Sequence, residues 1–333
     1  MKNYLILFLL LIAIKISAQN AFNQKPTVDA AKALLNALAT DQSAAAQFTF
    51  ADTNRVKWSN LPNGQVMRKG AWLKDLTDVQ KQKVHSLLRT VLSQQGYLKF
   101  LLIMEYDEGN HTRLTTANSP IANRYSNQNY WTSIFGEPNV GGTWGFKFEG
   151  HHISLNMTFS KMGVTCTPMF VGINPALVTT GEYAGKHIMY EEDTLGKGLY
   201  NSLSPTLKAK ARLGELPKDV DVMVQTGKEP FVKMKQGVTF LELTEEQKAM
   251  VVGLIESWVK NLTPSVADEK MRRIRRSLNE MRFVWMGSED VTQLHYFRLQ
   301  SPACIIEFSN SNGGLYHYHT LWRDLDEDFM DKK

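Results

Sequence analysis

One segment of the sequence recurs, and this recurrence constrains the fold more than any other feature. Residues 67–84 align without a gap with residues 234–251, at an offset of 167 residues. Self-similarity at a fixed spacing is a signal at the level of the fold, so the offset predicts two related halves. The identical pairs are Met67 and Met234, Gly70 and Gly237, Leu76 and Leu243, Thr77 and Thr244, Gln80 and Gln247, Lys81 and Lys248, and Val84 and Val251.

Part of this match has a local explanation. Thr77 with Gln80, and Thr244 with Gln247, each fit a capping box, in which a side chain and the backbone satisfy each other's free amides. Any two helices can share that device. The methionine and glycine matches upstream have no such explanation, and they favour an internal duplication.

The predicted elements run from helices to strands twice. Such an order indicates an α+β fold with antiparallel sheets and packed helices. We predict one domain over residues 19–333, with two pseudo-symmetric halves at about residues 48–190 and 215–330. Predicted helices cover residues 27–48, 77–102, 195–213, 244–262 and 265–281. Predicted strands cover residues 130–135, 144–148, 151–159, 164–170, 283–286, 294–299, 304–308 and 315–322, and residues 109–129 are predicted to form a long loop.

The first residues predict export. Lys2 precedes an apolar run from Tyr4 to Ile14, and the small residue Ala18 follows. This is the pattern of a secretory signal, and the run is shorter than the roughly 20 residues of a membrane span. We predict a signal peptide over residues 1–18 and a periplasmic or secreted protein without a membrane partner; the alternative is an uncleaved anchor.

Charge and cysteine content exclude some classes of protein. The net charge of +5 falls to +3 when Lys2 and Lys15 leave with the signal, which is too small to argue for nucleic acid. The two cysteines, Cys166 and Cys304, allow either one disulfide or two buried free thiols. A zinc site built from several cysteines is excluded by their number.

Two close histidine pairs suggest the chemistry. Side chains alternate across a strand, so a strand from residue 151 puts His151 on the core face and His152 on the polar face. His317 and His319 share one face of the last predicted strand, with Cα atoms about 6–7 Å apart. That spacing suits two ligands of one ion.

The repeat offset also relates the two histidine segments, because it places His152 onto His319. We therefore expect both segments in equivalent places, facing one cleft. The metal hypothesis assigns His152, His317 and His319 to one transition metal ion, zinc, copper or iron, with His151 as a weaker candidate. The alternative is a buried, hydrogen-bonded polar network.

Four charged residues are the predicted catalytic groups. Arg298 and Glu307 lie in apolar strand-like segments, where a charge needs a partner. They either pair on adjacent strands or serve the reaction. Arg323 and Asp324, followed by Asp328, either clamp an anionic substrate or cap the end of the sheet.

The same segments resemble the exported bacterial and fungal family called domain of unknown function 3500, over nearly the whole mature chain. That family usually carries Asp-Tyr-Gly near its end, whereas this chain has Asp328-Phe329-Met330, which keeps the acid and loses the glycine. The resemblance implies no activity. The segments that carry it are 135–138, 144–156, 167–172, 296–298, 306–308 and 317–324.

The leading functional hypothesis is a secreted metal-dependent enzyme, a hydrolase or an oxidoreductase. The ion would activate water or oxygen, and Arg298 or Arg323 would orient an anionic small molecule. One rival is a non-catalytic periplasmic protein that binds a ligand or a metal. Another is a structural duplication whose histidines only tie two halves together.

Overall fold

The computed structural model describes residues 22–178, 184–216, 221–222, 235–310 and 313–330. The predicted signal peptide lies outside these residues. Among them, no helix combines the length and the apolar character that a bilayer span requires. The helices are α1 (Lys25–Ala37), α2 (Thr40–Ala46), α3 (Asp78–Arg89), α4 (Gln94–Thr116), α5 (Tyr190–Ser202), α6 (Pro205–Ala211), α7 (Glu245–Val259) and α8 (Pro264–Arg276).

The described strands form a single twelve-stranded sheet with the order β1-β3-β4-β5-β7-β12-β11-β10-β9-β8; β2 pairs with β3, and β6 with β5. All pairs are antiparallel except β1 with β3. The mixed helix-and-sheet class and the antiparallel pairing are therefore confirmed, although one sheet runs through both halves. The strands are β1 (Gln47–Phe48), β2 (Ala71–Trp72), β3 (Tyr130–Phe135), β4 (Trp144–Gly150), β5 (Ile153–Ser160), β6 (Gly163–Thr165), β7 (Met169–Ile173), β8 (Val238–Thr239), β9 (Arg282–Gly287), β10 (His295–Ser301), β11 (Cys304–Ser309) and β12 (Tyr318–Arg323).

From Ala71 and from Val238 onward, the two copies of the repeated sequence segment have the same local structure. Strands β2 and β8 begin 167 residues apart, and each leads through a 3₁₀ turn into a helix, α3 or α7. Both predicted capping boxes are confirmed: Thr77 and Thr244 each accept a hydrogen bond from the backbone three residues on. Similar local structure does not establish common descent, and the duplication stays a prediction.

The two faces of the sheet differ in character. Side chains such as Ile306, Phe308 and Trp322 point to the helices and join one large apolar core with Leu87 and Leu254. Each such large side chain, fully buried, contributes about 1.5–3 kcal/mol to stability. Because side chains alternate, the intervening residues of β10, β11 and β12 lie on the other face. That second face is rich in polar groups, and it carries the candidate site.

Several predicted boundaries were wrong. The predicted helices 27–48, 77–102 and 195–213 are each divided between two helices, with breaks at residues 38–39, 90–93 and 203–204. Strand β5 begins at Ile153 and β12 at Tyr318, so His151, His152 and His317 precede strands rather than lie within them. Helix α4 continues to Thr116, into the segment predicted to be a loop. Both cysteines are buried free thiols, which confirms that alternative, and burial raises the pKa of Cys166 to about 12.

Candidate metal centre

Three imidazoles converge on the polar face of the sheet. Nε2 of His152 lies 3.0 Å from Nε2 of His317 and 3.1 Å from Nε2 of His319. Two nitrogen ligands of one tetrahedral zinc ion, each about 2.0–2.1 Å from the metal, lie about 3.4 Å apart. A small outward shift of the rings would therefore admit one ion, and the predicted convergence is confirmed.

A purely hydrogen-bonded network accounts less well for this contact. An imidazole nitrogen carries either one proton or one lone pair in the ring plane, so it makes one good hydrogen bond. Nε2 of His152 contacts two Nε2 atoms at hydrogen-bonding distance. One of these two contacts is then left unsatisfied, whereas a cation would accept a lone pair from all three nitrogens.

His152 is placed by its turn. His151 and His152 form the turn between β4 and β5, and His152 has a left-handed backbone with φ of 62°. This conformation is uncommon for residues other than glycine and is found at functional sites. The backbone N–H of Gly172 donates to the carbonyl of His152 at 2.7 Å, which fixes the turn against β7.

The two histidine segments do not occupy equivalent places, contrary to the prediction from the repeat offset. His152 lies in the turn before β5, the third of the four long strands β3, β4, β5 and β7 of its half. His319 lies within β12, the fourth of the corresponding strands β9, β10, β11 and β12. The residues meet because β7 pairs with β12, and β7 also lies beside the turn that carries His152.

Gly172 makes room for the cluster. It lies directly opposite His319 in the pairing of β7 with β12. A Cβ atom at this position would lie 2.9 Å from Cδ2 of both His152 and His319. The absence of a side chain here allows both imidazoles to pack over the strand.

Asp221 supports His319 from behind. Its Oδ1 accepts a hydrogen bond from Nδ1 of His319 at 2.6 Å, which leaves the lone pair on Nε2 directed at the cluster. A carboxylate behind a ligating histidine is the usual outer shell of such sites. Burial alone would raise the pKa of Asp221, but its electrostatic interaction and hydrogen bond with His319 outweigh burial and hold that pKa below its ordinary value. Sequence reasoning missed this residue.

The protonation of His152 suits a ligand. Burial, followed by the nearby charges of His151, His319 and His317, lowers its pKa well below the ordinary value. The ring is therefore neutral at neutral pH. Metal ligands must be deprotonated, so protons compete weakly at this position.

His151 has a separate set of partners. Its Nδ1 lies 2.6 Å from Oδ1 of Asp107 on α4, and its ring stacks on His152 with centroids 3.6 Å apart. Tyr130 donates to the other oxygen of Asp107. His151 is buried, as predicted, and Asp107 is the second acidic partner that the sequence did not reveal.

The cluster opens onto a pocket of about 290 Å³. His152, His317 and His319 all line it, and His317 is the most exposed of the three. The polar side chains of Asn60, Asn110, Arg113 and Tyr125 are also part of its wall. A small polar molecule can thus reach the three imidazoles.

The predicted catalytic residues Arg298 and Glu307 lie beside each other on β10 and β11, with Nη1 and Oε1 3.9 Å apart and both side chains fully buried. The prediction that they pair on adjacent strands is confirmed. Tyr296 also donates to Glu307. Glu307 lies opposite Leu321, on the same face as His319, but neither charged residue lines the pocket.

Arg323 and Asp324 lie at the far end of β12, about 13 Å along the strand from His319. Nε of Arg323 donates to Asp328 at 2.6 Å, and Asp324 binds Arg273 of α8 at 2.5 Å. These contacts fit the capping of the sheet end. A catalytic role for all four charged residues stays a prediction.

Fold and site together define a class: a one-sheet α+β protein with a histidine cluster beside its two central strands. The model of the family described as "Protein of unknown function (DUF3500)" matches residues 21–331. The chain belongs to this family, which confirms the resemblance noted in the sequence. No curated protein and no solved structure matches it.

Proposed function

We propose that this protein is an exported metal-dependent enzyme in which His152, His317 and His319 hold one divalent transition metal ion. The observation that carries the proposal is the approach of three Nε2 atoms to 3.0 and 3.1 Å. Neutral imidazoles suit zinc, copper and iron. Export rests on the pattern of residues 1–18.

A catalytic role is favoured by the number of ligands. Catalytic zinc sites combine three protein ligands with one open position, whereas structural sites are closed by four. Here all three histidines line the pocket, so the open position would face it. The ion would activate water or oxygen there, which gives a hydrolase or an oxidoreductase.

Arg113 is the arginine best placed to orient a substrate. It is exposed, lines the same pocket and lies 3.5 Å from Asn110. A guanidinium group binds carboxylates and phosphates through two parallel hydrogen bonds. An anionic substrate group is therefore expected at Arg113, rather than at Arg298 or Arg323.

We also infer that the two halves arose by duplication. The 167-residue offset supports this inference, as do the matches of Met67 with Met234 and of Gly70 with Gly237, which lie outside the capping boxes. It does not affect the metal site, because the histidines do not occupy matching positions.

Elemental analysis of the mature protein, reconstituted with zinc, copper or iron and then desalted, tests the proposal. We expect about one equivalent of one metal in the wild type and in His111→Ala, and loss of that metal in His317→Ala and His319→Ala. Less than about one-tenth equivalent of every metal would overturn the proposal. Full binding without turnover of ester, phosphoester or redox substrates would favour the non-catalytic alternative.

A further inference from the structure

A second pocket, of about 310 Å³, lies next to the histidine pocket, and the two share Tyr125. Its wall is dominated by side-chain amides and polar rings. Lys74 carries the only formal charge among the lining residues, and none of them is aliphatic. They are Asn63, Trp72, Lys74, His111, Asn123, Tyr125, Ser126, Gln128 and Asn129.

Two polar atoms of this wall are buried without a hydrogen-bond partner among the described residues: Nε1 of Trp72 and Oε1 of Gln128. One is a donor and the other an acceptor. Buried polar atoms are nearly always paired, so each such atom needs an explanation. Both side chains line the pocket, so the hydroxyl groups of a ligand are candidate partners for these two atoms once the side chains shift to expose them.

The indole of Trp72 is held in place. It stacks on Trp131 with centroids 5.2 Å apart and an angle of 10° between the rings. Trp72 belongs to β2, which pairs with β3 and is thereby attached to the main sheet. Its N–H group is thus presented by a rigid element, which lowers the entropic cost of binding.

Other wall groups have defined donor and acceptor roles. Nδ1 of His111 lies 3.0 Å from the carbonyl of Ala122. A carbonyl only accepts, so Nδ1 carries a proton, and in the neutral imidazole Nε2 is then an acceptor. The amide of buried Asn129 donates to the carbonyl of Asn123, which holds that side chain in one orientation.

We propose that this second pocket binds carbohydrate. Sugar hydroxyls both donate and accept, and they match a wall of amides that offers both functions. The ring of Tyr125 supplies an aromatic surface at the junction of the two pockets. An extended peptide would instead be anchored by a strand edge or by pockets for apolar side chains, and this wall offers no aliphatic residue.

Carbohydrate binding here does not require the ion. That the saccharide is also the substrate rests on the proposed function, because Tyr125 would place it beside the histidine cluster. The binding step is therefore tested on metal-free protein, so that the two proposals can fail separately.

The probe is an array of neutral and uronic-acid-containing oligosaccharides, applied to chelator-treated mature protein, with calorimetry on the sugars retained. The variants are Trp72→Phe, which removes the indole N–H, and Gln128→Ala. Gln95→Ala, an exposed glutamine at the start of α4, is the matched control. Thermal melting identifies any variant that fails to fold.

We expect retention of at least one saccharide class and an affinity about tenfold lower in Trp72→Phe and in Gln128→Ala, since each removes one partner of a buried hydrogen bond. Gln95→Ala should bind like the wild type. If the protein prefers oligosaccharides that contain uronic acids, we would assign the binding of their carboxylate group to Lys74, the charged residue of the wall. Retention of no saccharide, or unchanged affinity in a folded Gln128→Ala variant, would overturn the proposal whatever the metal content.

Discussion

At the residue scale, the histidines were predictable and their acidic partners were not. Only eight histidines occur in the chain, and two close pairs stand out in the sequence. Asp221 and Asp107 lie 98 and 44 residues from the histidines they bind, and only tertiary packing brings them together. A carboxylate in an unremarkable segment gives no sequence signal of such a role.

The role of Asp221 can be measured. Asp221→Asn should lower the affinity for the metal about 10- to 100-fold, because an amide orients His319 less firmly and makes its ring less basic. Competition with a chromogenic chelator gives the affinity. Asp290→Asn, at an exposed aspartate of a loop, should leave it unchanged. Equal affinities in both variants would mean that Asp221 has only a structural role.

At the element scale, short sequence motifs predicted where helices begin. The apolar pattern did not always predict where strands begin or where helices end. The capping boxes of α3 and α7 were found because they depend on residues three apart. The turn at His151 and His152 was missed, because apolar alternation runs on into β5. The end of α4 was missed because its last turns are polar and lack an apolar period.

The pairing of β7 with β12 predicts a strong effect at Gly172. Gly172→Ala should reduce metal binding and destabilise the fold by about 1–3 kcal/mol, because the new Cβ would displace two imidazoles. Metal content and urea unfolding measure the two effects. Gly198→Ala on α5, where a Cβ meets open space, should bind metal normally. Normal metal binding by Gly172→Ala would contradict the packing described for the cluster.

The two capping boxes predict a matched pair of losses. Thr77→Ala and Thr244→Ala should each cost about 1 kcal/mol of unfolding free energy, because each removes the bond to an otherwise unpaired backbone N–H. The double variant should show the sum, since α3 and α7 are separate elements. Thr112→Ala, at an exposed position within α4, should have little effect. A loss confined to one helix would show that the caps are not equivalent.

At the scale of the whole molecule, the class of fold was predictable, but the joining of the strands into one sheet was not. Element order in the sequence indicated helices followed by antiparallel strands in each half. It could not show that the fourth long strands of the two halves, β7 and β12, pair with each other into one sheet. That pairing is non-local, and it decides where the site lies.

The stability of the metal-free protein should fall as the pH drops below about 6.5. Burial lowers the pKa of His85, His152 and His187 in the folded state. The unfolded chain then binds more protons than the folded one below the ordinary histidine pKa of about 6.5, so protonation favours unfolding. Burial raises the pKa of Asp328, so the folded state binds a proton here more readily than the unfolded chain. Protonation of Asp328 therefore offsets part of the loss of stability at low pH.

Urea unfolding of chelator-treated protein at pH 7.5 and 5.5 measures this dependence. His85 is not part of the histidine cluster, and His85→Gln removes one of the three histidines whose pKa burial lowers. The free energy of unfolding of this variant should differ less between the two pH values than that of the wild type. Greater stability at pH 5.5 would contradict the assignment of neutral histidines.

The separation of the three histidines along the chain has a consequence for folding. His152 is 165 residues from His317 and 167 from His319, so an ion held by them would be a cross-link that closes about half of the 333-residue chain into a loop. Cross-links across long loops restrict the unfolded chain most in theory. His317 and His319 follow the eight described helices and eleven of the twelve described strands, so this cross-link can form only after those elements have emerged. A product truncated before His317 would lack two of the three ligands and also β12, the strand that joins the two halves of the sheet.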